Sequence, residues 1–288
     1  MLLLGTALSA PSLQAAVRHL CPPVADAFKM DGILDEPQWK NLDTIHLALN
    51  NAPAGGKPSV ETKVLAAWSA TRLYVAFIAD TRNVQNIYTK HDDPIYNQDV
   101  VELFLDPDGD GKNYFELEWN CLGTSLDFFF TAPLQGENDA WAPQGMEYAV
   151  KVHGTANKPS DVDTGMVVEI SLPWAAFKQW SKGPMPPGAG DSLALNFYRI
   201  NYPTPGNQEL ISWSPTGAAD FHRPDKFGTL IFSDQAVTGL FPRSGAPSAA
   251  PAAAGSAIIG APLLRADGKA VPAHGAKLRL FQPPALAR

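Results

Sequence analysis

Basic clusters, cysteine frameworks and long apolar runs are all missing from this chain of 288 residues. The formal net charge is -7, and the 22 Lys and Arg residues are scattered, so no basic patch is present to neutralise phosphates and nucleic-acid binding is excluded. With only Cys21 and Cys121, far apart in sequence, there is neither a disulfide framework nor a Cys-rich zinc site, and one bridge is left open. No segment approaches the roughly 20 apolar residues of a membrane-spanning helix. The histidines form no HxH or HExxH spacing, and His91, His153 and His222 stand isolated. GxSxG, the P-loop and the dinucleotide fingerprint are also missing, which removes the sequence signatures of common hydrolases, NTPases and dehydrogenases.

What remains is strand-like. From about Met30 to Phe232 short apolar or alternating runs are separated by Gly, Pro, Asn and Asp clusters, with little helical periodicity. Strands are expected at Lys63–Trp68, Leu73–Ala79, Val100–Leu105, Tyr114–Trp119, Thr124–Phe130, Met146–His153, Met166–Ser171, Leu193–Ile200 and Gln208–Trp213. So many short strands indicate an all-β chain, a two-sheet antiparallel β-sandwich of immunoglobulin-like or jelly-roll-like architecture. Minor helical turns are expected at Pro37–Asn41, capped by Asp35, and at Trp174–Trp180.

The ends differ in character. Residues 1–20 join an apolar run to small residues near Ala15 and Ala16, as an export segment does, although no Lys or Arg precedes the run. A secreted or periplasmic monomer is expected, with the sandwich over residues 24–234. The Ala/Pro/Ser/Gly tract at 235–257 reads as a linker, and 258–288 as a tail that either forms a small hairpin or stays disordered.

The stretch from Asp80 to Asp127 carries most of the chemical information. Val100–Leu105 and Tyr114–Trp119 flank a turn rich in Asp and Gly, which is a hairpin signature. Glu102 sits inside the first of these apolar strands, where an unpaired carboxylate is costly. It either pairs with Arg199 or Arg72 or meets a ligand. In the turn, Asp106, Asp108 and Asp110 take the first, third and fifth positions of a calcium loop with Gly111 sixth, but Leu117 takes the twelfth. Structural calcium at these aspartates and a plain hairpin turn both remain open.

Several motifs occur together in a familiar order: DGILDEPQW (31–39), LYVAFIAD (73–80), QDVVELFLDPDGDGKNYFELEWN (98–120), VVEISLPW (167–174), LNFYRIN (195–201) and WSPTGAADFHRPDKFGTLIF (213–232). In these the chain resembles the family 9 carbohydrate-binding modules and their DOMON-type relatives. The resemblance implies a sandwich that holds sugar between two aromatic rings with polar groups at the base. Matched motif by motif, the aromatics fall on Tyr96 and Phe221, the binding carboxylates on Asp80 and Glu102, and further polar groups on Tyr198 and Asn196. Tyr96 and Phe221 stand where tryptophans are usual, and Glu116 where an arginine would help bind hydroxyls. Trp39, Trp119, Trp174 and Trp213 are expected in the core; of Trp141 and Trp180, Trp141 is the one expected to line a surface.

Aromatic faces pack against the C–H face of a pyranose, and carboxylates accept charge-assisted hydrogen bonds from its hydroxyls. The implied function is non-catalytic binding of an oligo- or polysaccharide, in support of polysaccharide recognition or breakdown. Asp80 and Glu102 could be drawn as a glycosidase pair, but the resemblance is to a binding module. Two alternatives stand beside it. One is a haem-binding electron-transfer sandwich with axial ligands drawn from Met30, Met146, Met166, His91 and His222. The other is a protein-interaction module whose sugar site has decayed.

Overall fold

The computed structural model describes residues 17–52, 56–204 and 206–235. Of the expected export segment (1–20), residues 1–16 lie outside these described residues, as do the expected linker beyond Gln235 and the expected tail. In chain order the elements are β1 (Arg18–Cys21), α1 (Pro37–Lys40), β2 (Ile45–His46), β3 (Ala48–Leu49), β4 (Thr62–Trp68), β5 (Arg72–Asp80), β6 (Val100–Asp106), β7 (Tyr114–Asn120), β8 (Ser125–Phe130), β9 (Glu147–His153), β10 (Gly165–Pro173), β11 (Ser192–Thr204), β12 (Asn207–Ser212) and β13 (Gly228–Phe232). β1 already belongs to the sandwich, pairing in parallel with β13 from Arg18 onward, so the sheet begins before residue 24.

The larger sheet runs β1-β13-β11-β6-β7-β8, and the smaller β2-β4-β5-β10-β9. The long β11 serves two neighbours along one edge, with Ser192–Leu195 facing β13 and Tyr198–Thr204 facing β12, while β6 pairs along its other edge. Alternation then sorts the side chains into three apolar layers. Val101, Leu103 and Leu105 of β6 meet Val75, Phe77 and Ile170 of the smaller sheet in the central layer. Leu65, Tyr74 and Ala76 face outward from the smaller sheet, where Trp39 and the segment around Phe28 cover them. Val100, Phe104, Tyr114, Phe128, Tyr198 and Phe221 form a third layer on the outer face of the larger sheet.

The cover over the smaller sheet explains the DGILDEPQW motif. Glu169 is fully buried on β10, and its carboxylate accepts hydrogen bonds from Asp31 N (3.0 Å), Gly32 N (2.6 Å) and Trp39 Nε1 (3.0 Å). Gly32 is at φ +76°, and a Cβ there would come within 2.6 Å of Lys151 Cβ, so only glycine brings both amides to the carboxylate. α1 is capped by Glu36 rather than Asp35, and with no side-chain cap bond. The Trp174–Trp180 stretch divides into two single 3-10 turns. Trp39, Trp119, Trp174 and Trp213 are all buried. Trp141 is half-buried, packing one side on Phe115 at 4.2 Å between ring centroids, with Trp180 alongside. Cys21 and Cys121 are buried and free.

Candidate functional site

The outer face of the larger sheet gathers most of the residues singled out from the sequence. β6 and β7 pair so that Glu102 faces Glu118 and Phe104 faces Glu116; on its other side Glu102 neighbours Tyr198, and Phe104 neighbours Asn196. Two loops cover the face. One, between β5 and β6, brings Tyr88 and Tyr96; the other, after β12, brings Phe221.

Buried asparagines hold both loops in place. Asn86 Nδ2 donates to the carbonyls of Ile95 and Asp99, at 3.1 Å each, and Asn120 Nδ2 donates to Tyr88 O at 2.9 Å. Asn50 Nδ2 donates to Thr216 Oγ1 (2.8 Å) and Ala218 O (2.7 Å). Asn196 is fully buried; its Nδ2 donates to Ser214 O (2.7 Å) and its Oδ1 accepts from Ser214 N (2.9 Å) and Phe197 N (3.1 Å). Its amide is thus committed to backbone, and it acts as a staple for the Phe221 loop.

Tyr198 is a platform for Phe221. The two rings stack at 4.1 Å and 16°, and the Tyr198 hydroxyl donates to Phe221 O at 3.1 Å. Phe221 is left 7% exposed. Tyr96 is half-buried in the Ile95–Asn97 turn on the same face. Asp80 is not part of this group. It continues the Tyr74, Ala76, Ile78 side of β5, is exposed, and belongs to the other sheet. Only its backbone carbonyl reaches inward, accepting from Arg199 Nη1 at 2.8 Å.

Neither arginine considered for Glu102 pairs with it. Arg199 bonds Thr62, Asp80 O and Asn201, and Arg72 bonds Ser171, Gly145 O and Glu147. Instead Glu102, Glu116 and Glu118 come together, one oxygen of each within 4.8 Å of the others, and all three are buried. Neither oxygen of Glu118 has a hydrogen-bond donor, and Glu102 Oε1 has none. Among the described residues, the ion pair reaching the cluster is His222 Nε2 to Glu116 Oε2, at 3.9 Å.

Burial raises all three carboxyls. Glu102 is pushed further by the charge of Glu116, and Glu118 by those of Glu102 and Glu116. Glu116 is pushed up to about 7, chiefly by burial. Holding protons on part of the cluster reconciles three carboxyls at this spacing with their burial. The cluster therefore offers both acceptors and a donor near neutral pH.

The Asp106, Asp108, Asp110 turn carries its own cation. Lys182 Nζ lies 2.8 Å from Asp108 Oδ2 and 2.6 Å from Asp110 Oδ2, and Asp106 accepts from the amides of Gly109 (2.9 Å) and Gly111 (2.8 Å). The haem ligands considered do not converge. Met30 lies outside the smaller sheet, Met166 in the central layer with Met146 at its margin, and His222 beside Tyr114 on the outer face of the larger sheet.

Sequence reasoning missed two groups. Glu118 was legible, since the pairing of β6 with β7 puts Glu102 opposite it. The other group is His91, Asp92 and Asp127, which the spacing of histidines does not reveal because Asp127 comes from a distant strand.

Comparison with known proteins agrees with this architecture. A solved structure from Bacteroides uniformis ATCC 8492 is 21% identical, covers 76% of this chain and 100% of its own, and superposes with a TM-score of 0.61. Two structures of a family 9 carbohydrate binding module from Caldicellulosiruptor kristjanssonii also match. The complex with cellotriose is 17% identical with TM-score 0.54, covering 79% of this chain and 100% of that one. The complex with glucose is 18% identical with TM-score 0.54, covering 76% and 97%. No curated protein matches the chain significantly. The model of carbohydrate-binding family 9 matches residues 31–232, a span that takes in both covering loops and every strand but β1, and the chain belongs to that family.

Proposed function

We propose that this protein is an exported, monomeric, non-catalytic module that binds a neutral oligo- or polysaccharide on the outer face of the larger sheet. The observation that carries this reading is the buried carboxyl cluster on the face where Tyr96 and Phe221 also pack, under aromatic loops, in a chain of carbohydrate-binding family 9. Related modules have been solved with cellotriose and glucose, so β-glucosides are the first candidates. The apolar start of the chain supports export. No helix among the described residues is long and apolar enough to cross a membrane.

In this reading Tyr96 and Phe221 supply the apolar faces and Glu102 the hydrogen-bonding carboxyl. Tyr198 and Asn196 position Phe221 and its loop. A groove of about 330 Å³ between Gly109–Gly111 and His222–Asp225 flanks this face and can take further sugar units. Calorimetric titration with glucose, cellobiose, cellotriose and xylobiose tests the proposal. Saturable binding is expected at micromolar to millimolar dissociation constants, roughly 4 to 8 kcal/mol.

A second reading is favoured by the tight stacking of Phe221 on Tyr198: a face that has lost its sugar and serves protein contact. It predicts silence across the sugar panel from a folded protein.

A further inference from the structure

At the β8 edge of the larger sheet, Asp127 lies against His91 and Asp92 of the β5–β6 loop, and we propose that these three residues form a binding site for a divalent cation of the zinc or manganese class.

His91 Nδ1 lies 3.0 Å from the Ser125 carbonyl oxygen. A carbonyl only accepts, so Nδ1 carries the hydrogen and, in the neutral ring, Nε2 presents its lone pair. That lone pair faces Asp92 Oδ2 at 3.4 Å and Asp127 Oδ1 at 3.5 Å. Both separations exceed the usual 2.7–3.2 Å of a hydrogen bond from nitrogen. They do match the ligand-to-ligand spacing around a tetrahedral ion with bonds of about 2.0–2.1 Å, which is roughly 3.4 Å. In the neutral ring these three electron pairs repel one another, and a divalent ion bound among them would remove that repulsion, as a proton on Nε2 also would.

The surroundings are those of a metal centre. Imidazole nitrogens that bind metal commonly donate their other N–H to a carbonyl, as His91 does. Asp92, at φ 61°, is oriented by its Oδ1 accepting from Asp127 N at 3.2 Å, which leaves Oδ2 for the ion. Asp127 is 1% exposed, and its Oδ2 has no hydrogen-bond partner. Among the described residues no Lys or Arg forms an ion pair with Asp92 or Asp127, unlike the Asp108–Asp110 turn, which holds Lys182. One imidazole with two carboxylates suits zinc or manganese better than calcium, which prefers an all-oxygen set. His91 is half exposed, so the ion has a path from solvent and water can complete its coordination. The ion would tie the loop bearing Tyr88 and Tyr96 to β8.

The test uses the full-length protein dialysed against EDTA and then titrated calorimetrically with zinc chloride and with manganese chloride. One saturable equivalent with micromolar affinity is expected for at least one metal, weakened at least tenfold by His91→Gln and by Asp127→Asn, and kept by the control His46→Gln. Circular dichroism checks that each variant is folded, and Asp92→Asn replaces Asp127→Asn if the latter is not. Manganese should also broaden the amide signals of His91 and Ser125. Absence of saturable binding, wild-type affinity in His91→Gln, or broadening confined to Asp106–Asp110 would overturn the proposal.

Discussion

Replacing Glu116 by Gln should change the pH dependence of stability in a direction that the buried cluster dictates. Gln keeps the shape and a hydrogen-bonding end but cannot ionise. In the folded protein the Glu116 carboxyl titrates near 7 instead of 4.5, chiefly because burial disfavours its charge. The native state thus holds this proton more tightly than the unfolded chain. The corresponding stability is fully present below about pH 4.5 and is lost as pH rises toward 7. At 1.36 kcal/mol per pH unit, the loss is roughly 3 kcal/mol. The variant escapes it, and by removing one negative charge it also eases the ionisation of Glu102 and Glu118. Asp99 and Asp127, each raised to about 6 by burial, titrate in both proteins and cancel in the comparison. Urea unfolding at pH 5 and pH 8 measures the effect. The stability of the variant relative to wild type should rise by about 2 to 3 kcal/mol between the two pH values. Parallel pH profiles would refute the buried, proton-holding cluster.

Other substitutions probe separate links. Phe221→Ala or Tyr96→Ala should weaken sugar binding at least tenfold by calorimetry while leaving a folded protein. Because Phe221 is nearly buried on Tyr198, its truncation should also cost about 3 kcal/mol in urea unfolding. Asn196→Ala strands the Ser214 amide and carbonyl and should cost about 2 kcal/mol or more, with sugar affinity falling as the Phe221 loop loosens. Gly32→Ala should destabilise by about 2 kcal/mol or more without touching sugar affinity, since it forces φ +76° and a clash with Lys151 on the opposite side of the molecule.

The strands were legible wherever a seven- to nine-residue run alternated or was uniformly apolar between turn residues, as in β4, β5, β6, β7 and β10. β1 and β13 escaped because they are short and find each other across the whole chain, and β2 and β3 because two residues carry no period. β11 runs four residues past its expected end because β12 supplies partners through Thr204. Glu102 stood out in the sequence as an acid in an apolar strand, and the structure confirms that it is buried. Asp80 looked equivalent because it ends a strong strand. The period-2 alternation of β5 places it with Tyr74 and Ile78 instead, away from Glu102. Tyr198 and Asn196 were singled out by position, but their contacts depend on the path of the Phe221 loop, which no local pattern specifies. The same holds for His91 and Asp127, 36 positions apart in the chain and joined by a loop whose course is set by Asn86 and Asn120.

The central claim is that sugar is taken on the outer face of the larger sheet, and amide chemical-shift mapping during titration with cellotriose tests it most directly. The account predicts dose-dependent shifts concentrated at Tyr96, Glu102, Glu116, Phe221 and His222, with none around Asp80 or in the groove between Pro107 and Leu193. Shifts centred on Asp80 or on that second groove, or no shifts at saturating sugar, would contradict it.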